Sequence, residues 1–215
     1  MTMKQKLWLL PTALWAAFVL FTLLLTCVDV QSIGPQGSAV VFATVNGWAF
    51  QLLGVHLLWY HITDWLGVVA IAIAFAYAVT GLCQLIKRKS IRKVDRHILV
   101  LGGFYLLVIA CYIFFENVVI NCRPILMGGN LEASYPSSHT MIVVSIMATA
   151  AMAFRALCPQ KREWCLAAGI FAAVVIAVTV MGRLIAGVHW LTDIVGGLLL
   201  SAALVVSYWA ACRGE

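Results

Sequence analysis

Charge is scarce in this chain. Aspartate, glutamate, lysine and arginine make up 10% of its 215 residues, whereas hydrophobic residues make up 64% and the mean hydropathy is +1.01. A soluble domain has about a quarter of its residues charged, so this composition excludes one. The shortage of charge therefore indicates an integral membrane protein. It also leaves no basic domain that could bind nucleic acid.

Two kinds of local signal are missing as well. The seven cysteines do not have metal-ligand spacing, and we interpret them as small apolar residues without a disulfide framework. The apolar run from Leu7 is longer than that of a signal peptide, and no A-x-A-like cleavage site follows it. The stretch Leu24-Leu25-Thr26-Cys27 is only a poor match to a lipoprotein processing site. We therefore expect the run to be retained as a membrane helix.

Six apolar stretches are long enough to cross a bilayer, whose hydrocarbon core of roughly 30 Å needs about 20 apolar residues in a helix. They cover about 7–28, 65–86, 97–115, 138–157, 165–181 and 192–211. Because they take up most of the chain, the sequence predicts an all-α, six-transmembrane helix bundle in which residues 1–215 form a single domain. Small residues in the last stretch predict close packing against a helix of the same chain or of another: Gly196, Gly197, Ser201, Ala202 and Ala203.

The basic residues favour one orientation. With a cytoplasmic N-terminus, twelve of the fourteen lysines and arginines fall in cytoplasmic segments, namely Lys4, Lys6, Lys87, Arg88, Lys89, Arg92, Lys93, Arg96, Arg155, Lys161, Arg162 and Arg213. Six spans then place both termini inside, and Arg123 and Arg183 outside. The sequence thus predicts a multi-pass protein of the cell membrane, whose net charge of +6 also attracts anionic lipid headgroups.

The segment between the first two stretches, residues 29–64, is partly polar and partly aromatic. Its tryptophans and tyrosine suit a membrane–water boundary, so we predict an interfacial helix over 40–61. This helix either lines the route of a lipid headgroup or packs over the bundle, and we favour packing. His56, His61 and the distant His97 are interpreted as interfacial polar residues.

Chemistry is concentrated around the last loop. His189 and Asp193 are four residues apart, so they share one face of a helix that begins near Trp190. Asp193 can then accept a hydrogen bond from one ring nitrogen of His189 and leave the other free to attack phosphorus. Arg183 precedes them at the end of the fifth span, where its guanidinium can bind two phosphate oxygens.

A second polar group lies upstream, in Arg123-Pro124 and Pro136-Ser137-Ser138-His139. Ser137 is a plausible N-cap of the fourth span, and the free N–H groups at such a helix start, especially that of Ser138, favour an anion. Each of these residues alone suits an ordinary interface position. Because they all fall at the outer ends of the last four spans, they jointly predict hydrolysis of a phosphate ester through a phosphohistidine.

These motifs resemble the type 2 phosphatidic acid phosphatase (PAP2) superfamily, which includes glucose-6-phosphatase and the vanadium haloperoxidases. The family pattern is Lys-x6-Arg-Pro, then Pro-Ser-Gly-His, then Ser-Arg-x5-His-x3-Asp. The resemblance implies a membrane phosphatase that needs no metal or other cofactor. It implies the following roles: His189 as nucleophile, Asp193 as its orienting group, His139 as general acid, and Arg123, Arg183, Ser137 and Ser138 as the phosphate-binding set.

The chain departs from the family pattern at three positions. Gly182 replaces a serine and Ser138 replaces a glycine, and both changes look tolerable. Glu116 stands where the family has lysine, and its carboxylate would repel a phosphate dianion. Glu116 either pairs with Arg123, faces away from the site, or recognises a cationic or hydroxylated group of the substrate. We expect an active enzyme that binds phosphate more weakly.

A site at the outer membrane boundary suits an amphiphile such as phosphatidic acid, phosphatidylglycerophosphate, or a polyprenyl phosphate or diphosphate. The motif residues do not distinguish among these lipids. Two alternatives remain open: transfer of the phosphoryl group to another lipid, and a non-catalytic lipid-binding or transport protein, for which Glu116 is the best support. The oligomeric state is not determined by the sequence.

Overall fold

The computed structural model describes residues 3–213, with side chains from residue 5 onward; Met1, Thr2, Gly214 and Glu215 of the expected domain lie outside it. Its seven α-helices are α1 (Met3–Leu25), α2 (Ala43–Leu53), α3 (Leu57–Arg88), α4 (Arg96–Asn117), α5 (Ser138–Leu157), α6 (Arg162–Ala186) and α7 (Leu191–Arg213). All except α2 are long and apolar enough to cross a membrane. The predicted all-α fold, with six spans and a short helix between the first two, is confirmed.

Helices α5 and α7 form the centre of the bundle. Half of the most apolar part of each is buried by the protein itself, against 11–22% for the other four spans. Small residues allow this close approach, because a Cβ atom at Gly197 would lie only 3.0 Å from the carbonyl oxygen of Ser137 at the start of α5. Of the small residues predicted to pack closely, Gly197 and Ser201 therefore contact α5 of the same chain.

The prediction of one interfacial helix over 40–61 is wrong in its extent. Helix α2 ends at Leu53, and Gly54 has a φ of +68°, which residues other than glycine rarely adopt. Helix α3 then begins at Leu57, eight residues before the expected start of the second span. Of the aromatic residues that suggested a boundary, Trp48 therefore lies in α2, whereas Trp59 and Tyr60 lie in the first turn of α3, a 32-residue helix about 48 Å long.

Helix α2 is fixed to the start of α7 by a buried asparagine. Asn46 donates to the carbonyl oxygen of Val41 at 2.7 Å and to Oγ1 of Thr192 at 2.9 Å, and it accepts from the Thr192 N–H at 3.1 Å. The ring of Phe50 lies 5.6 Å from that of Trp190. These contacts fit the interpretation that α2 packs over the bundle.

Successive spans run in opposite directions, so the starts of α3, α5 and α7 and the ends of α4 and α6 meet at one end of the bundle, here called the site end. The other end, the basic end, carries the loops 89–95 and 158–161. There Arg88 pairs with Asp95 at 2.9 Å, and Arg96 donates to the carbonyl oxygen of Ala211 at 3.1 Å. The basic segments thus lie opposite Arg123 and Arg183, which is the separation that the charge pattern predicts.

Candidate active site

A hairpin-like loop between α4 and α5 builds one wall of the site. The Ser134 N–H donates to the carbonyl oxygen of Asn121, and the Arg123 N–H donates to that of Glu132, both at 2.9 Å. The loop turns at Gly128 and Gly129, whose φ angles of +56° and +84° suit a tight hairpin turn. This pairing places Arg123 directly across from Glu132.

Arg123 lies with its side chain largely buried and forms an ion pair with Glu132. Its Nε lies 3.1 Å from Oε2 of Glu132, and Nη1 contacts the carbonyl oxygen of Val188 at 3.5 Å, next to His189. Glu132 was not singled out in the sequence, because its proximity to Arg123 depends on the hairpin. The carboxylate that pairs with Arg123 is therefore that of Glu132, and not the Glu116 partner considered above.

His189 lies in the short loop between α6 and α7 and is only 3% exposed. Its Nδ1 is 3.1 Å from the carbonyl oxygen of Ser134 and 3.8 Å from Oδ2 of Asp193. Because a carbonyl only accepts, this contact places the ring proton on Nδ1 and leaves the lone pair on Nε2. Within residues 5–213, buried Nε2 has no hydrogen-bond partner.

Asp193 joins three elements at the site end and is fully buried. Its carboxylate accepts from the Trp190 N–H at 2.8 Å and from Nδ2 of Asn121 at 3.4 Å. Its own carbonyl oxygen accepts from the Ser137 N–H at 2.9 Å, which ties α7 to the start of α5. Asp193 thus caps α7 and lies beside the His189 ring, while the Ser134 carbonyl is the nearer acceptor for Nδ1.

The surroundings of His189 favour its neutral form. Burial lowers its pKa below the usual 6.5; the nearby carboxylate of Asp193 opposes this change, and the positive charges of Arg123 and Arg183 reinforce it. A lowered pKa means that the ring loses its proton at a more acidic pH than usual. Nε2 of His189 is consequently unprotonated at neutral pH, as a nucleophile requires.

Arg183, Asp64 and His139 form a chain of contacts between α6, α3 and α5. Arg183 is fully buried, and its Nη2 forms an ion pair with Oδ1 of Asp64, which also lies 3.0 Å from Nε2 of His139. The guanidinium lies over the ring of Tyr60, 4.9 Å from its centroid. Nε and Nη1 of Arg183 and Nδ1 of His139 are buried and have no partner in the described part of the chain.

Asp64, like Glu132, was not identified from the sequence. It was treated as the end of the polar segment before the second span, whereas it is the eighth residue of α3. An acidic residue within an apolar helix is a functional candidate by default, and this signal could have identified it. His56 lies just before α3, and His61 lies in its second turn. Neither contacts the side chains of Arg183, Asp64 or His139 in the interactions observed.

The start of α5 contributes Ser137, Ser138 and His139. Ser137 is the N-cap, as predicted, since its hydroxyl accepts from the Thr140 N–H at 3.4 Å. Ser138 lines a narrow cleft that also includes Ser134 and Glu116. Glu116 therefore lies beside Ser138 of the predicted phosphate-binding set, in a cleft whose lining does not include the histidines or the arginines.

Gly182, which stands in place of the family serine, lies where α6 packs tightly against α3. A Cβ atom there would be 2.6 Å from Cγ2 of Thr63 and 3.1 Å from Cε3 of Trp59. Thr63 is itself fully buried and bonded to the carbonyl oxygens of Trp59 and Tyr60. The departure from the family pattern at this position is therefore required by the packing of α3.

We expect Gly182→Ser, which restores the family residue, to lower the free energy of unfolding by about 1–3 kcal/mol, the usual cost of overpacking. The measurement is the thermal midpoint of the purified protein in detergent. The matched control is Gly182→Ser combined with Thr63→Ser, which removes the clashing methyl group but keeps the hydroxyl. Partial recovery is expected in the double variant; a single variant as stable as the wild type would contradict this account of the contact.

The fold and the site define the class: a helical, multi-pass membrane protein with two buried or half-buried histidines and two arginines gathered at one end. A family model described as the PAP2 superfamily matches residues 99–213, more than half of the chain, and the protein belongs to this superfamily. The matched region contains every motif residue from Glu116 to Asp193 and excludes Asp64.

A solved structure has the same fold. The structure described as that of the first transmembrane PAP2 type phosphatidylglycerolphosphate phosphatase from Bacillus subtilis matches with a TM-score of 0.62 and 17% sequence identity. The match covers 95% of this chain and 96% of the other. The comparison with curated proteins gives no match.

Proposed function

We propose that the protein is a membrane lipid phosphatase that releases phosphate from a lipid phosphomonoester or diphosphate through a phosphohistidine. The observation that carries this proposal is the state of His189: its Nε2 is buried and unpartnered within the described chain, and the charges of Arg123 and Arg183 both act on its ring. A neutral imidazole that lies within the field of two guanidiniums suits attack on an anionic phosphoryl group.

The proposed reaction has two steps. In the first, Nε2 of His189 bonds to phosphorus and the bond to the leaving oxygen breaks, while His139 gives that oxygen a proton. In the second, water attacks the phosphohistidine and His139 takes a proton from the water. The bond between phosphorus and Nε2 breaks, so that phosphate leaves and His189 is regenerated. Arg123, Arg183 and the start of α5 stabilise the phosphoryl oxygens in both steps, and Asp193 and the Ser134 carbonyl orient the ring.

The walls of the bundle support a lipid substrate. An apolar cleft of about 270 Å³ lies between α3, α4 and α5, and its lining includes Ile71, Val108, Ile142 and Ile146. Tyr112 lines both this cleft and the cleft of Glu116 and Ser138. A lipid tail in the apolar cleft would bring its phosphate to the polar one.

Phosphatidic acid, phosphatidylglycerophosphate and polyprenyl phosphates or diphosphates are the proposed substrates, and all fit a site beside an apolar cleft. We further propose that the site end faces away from the cytoplasm and that both termini lie on the cytoplasmic side, because the basic end carries most of the positive charge. The solved structure of similar fold is described as a phosphatidylglycerolphosphate phosphatase, which makes that lipid a natural member of the test panel.

The test is release of inorganic phosphate from each of these lipids in mixed micelles. We expect the wild type to release phosphate from at least one of them, with no phosphate moved to a second lipid. The matched control is His97→Ala, at the basic end, which should keep the wild-type rate. Phosphate found on an acceptor lipid would support phosphotransfer instead. Binding of the lipids without any turnover would support the non-catalytic alternative.

A further inference from the structure

We infer that Asp64 is a positioning residue for the general acid: it holds Nε2 of His139 so that Nδ1 delivers the proton to the leaving group. This inference rests on the proposed function. Asp64 lies on α3, outside the region that the family model matches, and none of the three sequence motifs includes it.

The geometry fixes the His139 ring from two sides. Oδ1 of Asp64 is 3.0 Å from Nε2 of His139. Gly67, one turn further along α3, lies so close to the ring that a Cβ atom there would be 3.3 Å from Cδ2 of His139. A ring held by one edge in this way can use only its other nitrogen for chemistry. That nitrogen, Nδ1, is buried and makes no hydrogen bond within residues 5–213.

The carboxylate also supplies the charge that an acid in this position needs. His139 must carry a proton on both nitrogens before it can protonate the leaving oxygen, and burial and the positive charge of Arg183 both oppose that state. The negative charge of Asp64 favours it, through one oxygen atom that contacts both Arg183 and His139. Asp64 thus serves His139 as the carboxylate of a catalytic triad serves its histidine.

The proton balance of the step is simple. As the bond between phosphorus and the leaving oxygen breaks, the Nδ1 proton of His139 moves to that oxygen. The Nε2 proton stays on the ring and remains donated to Asp64, which keeps its negative charge throughout. Neutral His139 then accepts a proton on Nδ1 from the water that attacks the phosphohistidine.

The test compares two leaving groups in the Asp64→Asn variant, which keeps the shape of the side chain and removes its charge. A lipid phosphate leaves as an alkoxide and needs the proton, whereas p-nitrophenyl phosphate leaves as a stable phenolate and does not. We expect kcat to fall by about 10²-fold on the lipid, within the usual range for general acid catalysis, and by no more than about fivefold on p-nitrophenyl phosphate. Asp64→Glu should keep the two rates close to their wild-type ratio.

The ratio of the two rates in one preparation does not depend on how much of the variant is folded. If Asp64 acted only by holding Arg183, both rates would fall by the same factor, and this outcome would overturn the inference. In a His139→Ala background, Asp64→Asn should change the ratio by less than about twofold, since the acid is already absent. A wild type that hydrolyses neither substrate would instead reject the proposed function itself.

Discussion

Replacing His189 with alanine is expected to lower kcat for phosphate release by at least about 10⁴-fold on every substrate of the wild type, including p-nitrophenyl phosphate. The reason is that His189 supplies the unprotonated, unpartnered nitrogen on which the charges of both Arg123 and Arg183 act. His139 cannot substitute, because its Nε2 is held by Asp64 and its Nδ1 carries the proton for the leaving group in the proposed reaction. The measurement is phosphate release combined with rapid quenching. The labelled phosphoryl group should become covalently attached to the wild type but not to His189→Ala.

The control for this variant is its fold. Loss of the ring leaves the Ser134 carbonyl without the 3.1 Å contact to Nδ1, so the thermal midpoint is measured beside the rate. We expect a folded protein that still binds lipid phosphate through Arg123 and Arg183. A folded His189→Ala variant with more than a hundredth of the wild-type kcat would show that the nucleophile has been misassigned.

Replacing Glu116 with lysine is expected to strengthen phosphate binding by at least about tenfold, seen as a lower inhibition constant for inorganic phosphate. Glu116 lines the same cleft as Ser134 and Ser138, so a carboxylate there repels the anion and an ammonium attracts it. Two unit charges at about 4 Å interact by about 4 kcal/mol near a protein surface, so even a screened and more distant pair suffices for this factor.

Two further variants make the Glu116 experiment specific. Glu116→Gln removes the repulsion without adding attraction and should fall between the wild type and Glu116→Lys. Glu163→Lys introduces the same charge change at the basic end and should leave the inhibition constant unchanged. If the wild type showed no turnover and Glu116→Lys were active, Glu116 would be incompatible with the proposed activity.

The sequence predictions were accurate for features that depend on neighbouring residues. They were less accurate for features that depend on contacts between distant parts of the chain. The starts of the last four spans were predicted to within three residues, because burial of apolar side chains in a bilayer is a local and additive property of the chain. The start of the second span was wrong by eight residues. Aromatic side chains such as those of Trp59 and Tyr60 suit both a boundary and a helix packed against its neighbours, and only the break at Gly54 separates α2 from α3.

The site shows the same division. His139, Arg183, His189 and Asp193 could be found because motifs fix their positions on consecutive helix ends. The Ser134 carbonyl that holds Nδ1 of His189 is a backbone group, and every residue carries one, so no residue type indicates it. Glu132 meets Arg123 only because the loop folds back on itself.

By itself, the sequence determined that the chain crosses the membrane, how many times it does so, and which side chains are available for phosphoryl chemistry. The tertiary structure alone decided that Asp64 joins Arg183 to His139 and that position 182 must be glycine. The physical reason is that both depend on how closely α3 approaches α5 and α6. That distance is set by interlocking side chains of helices far apart in the chain, and no local pattern encodes it.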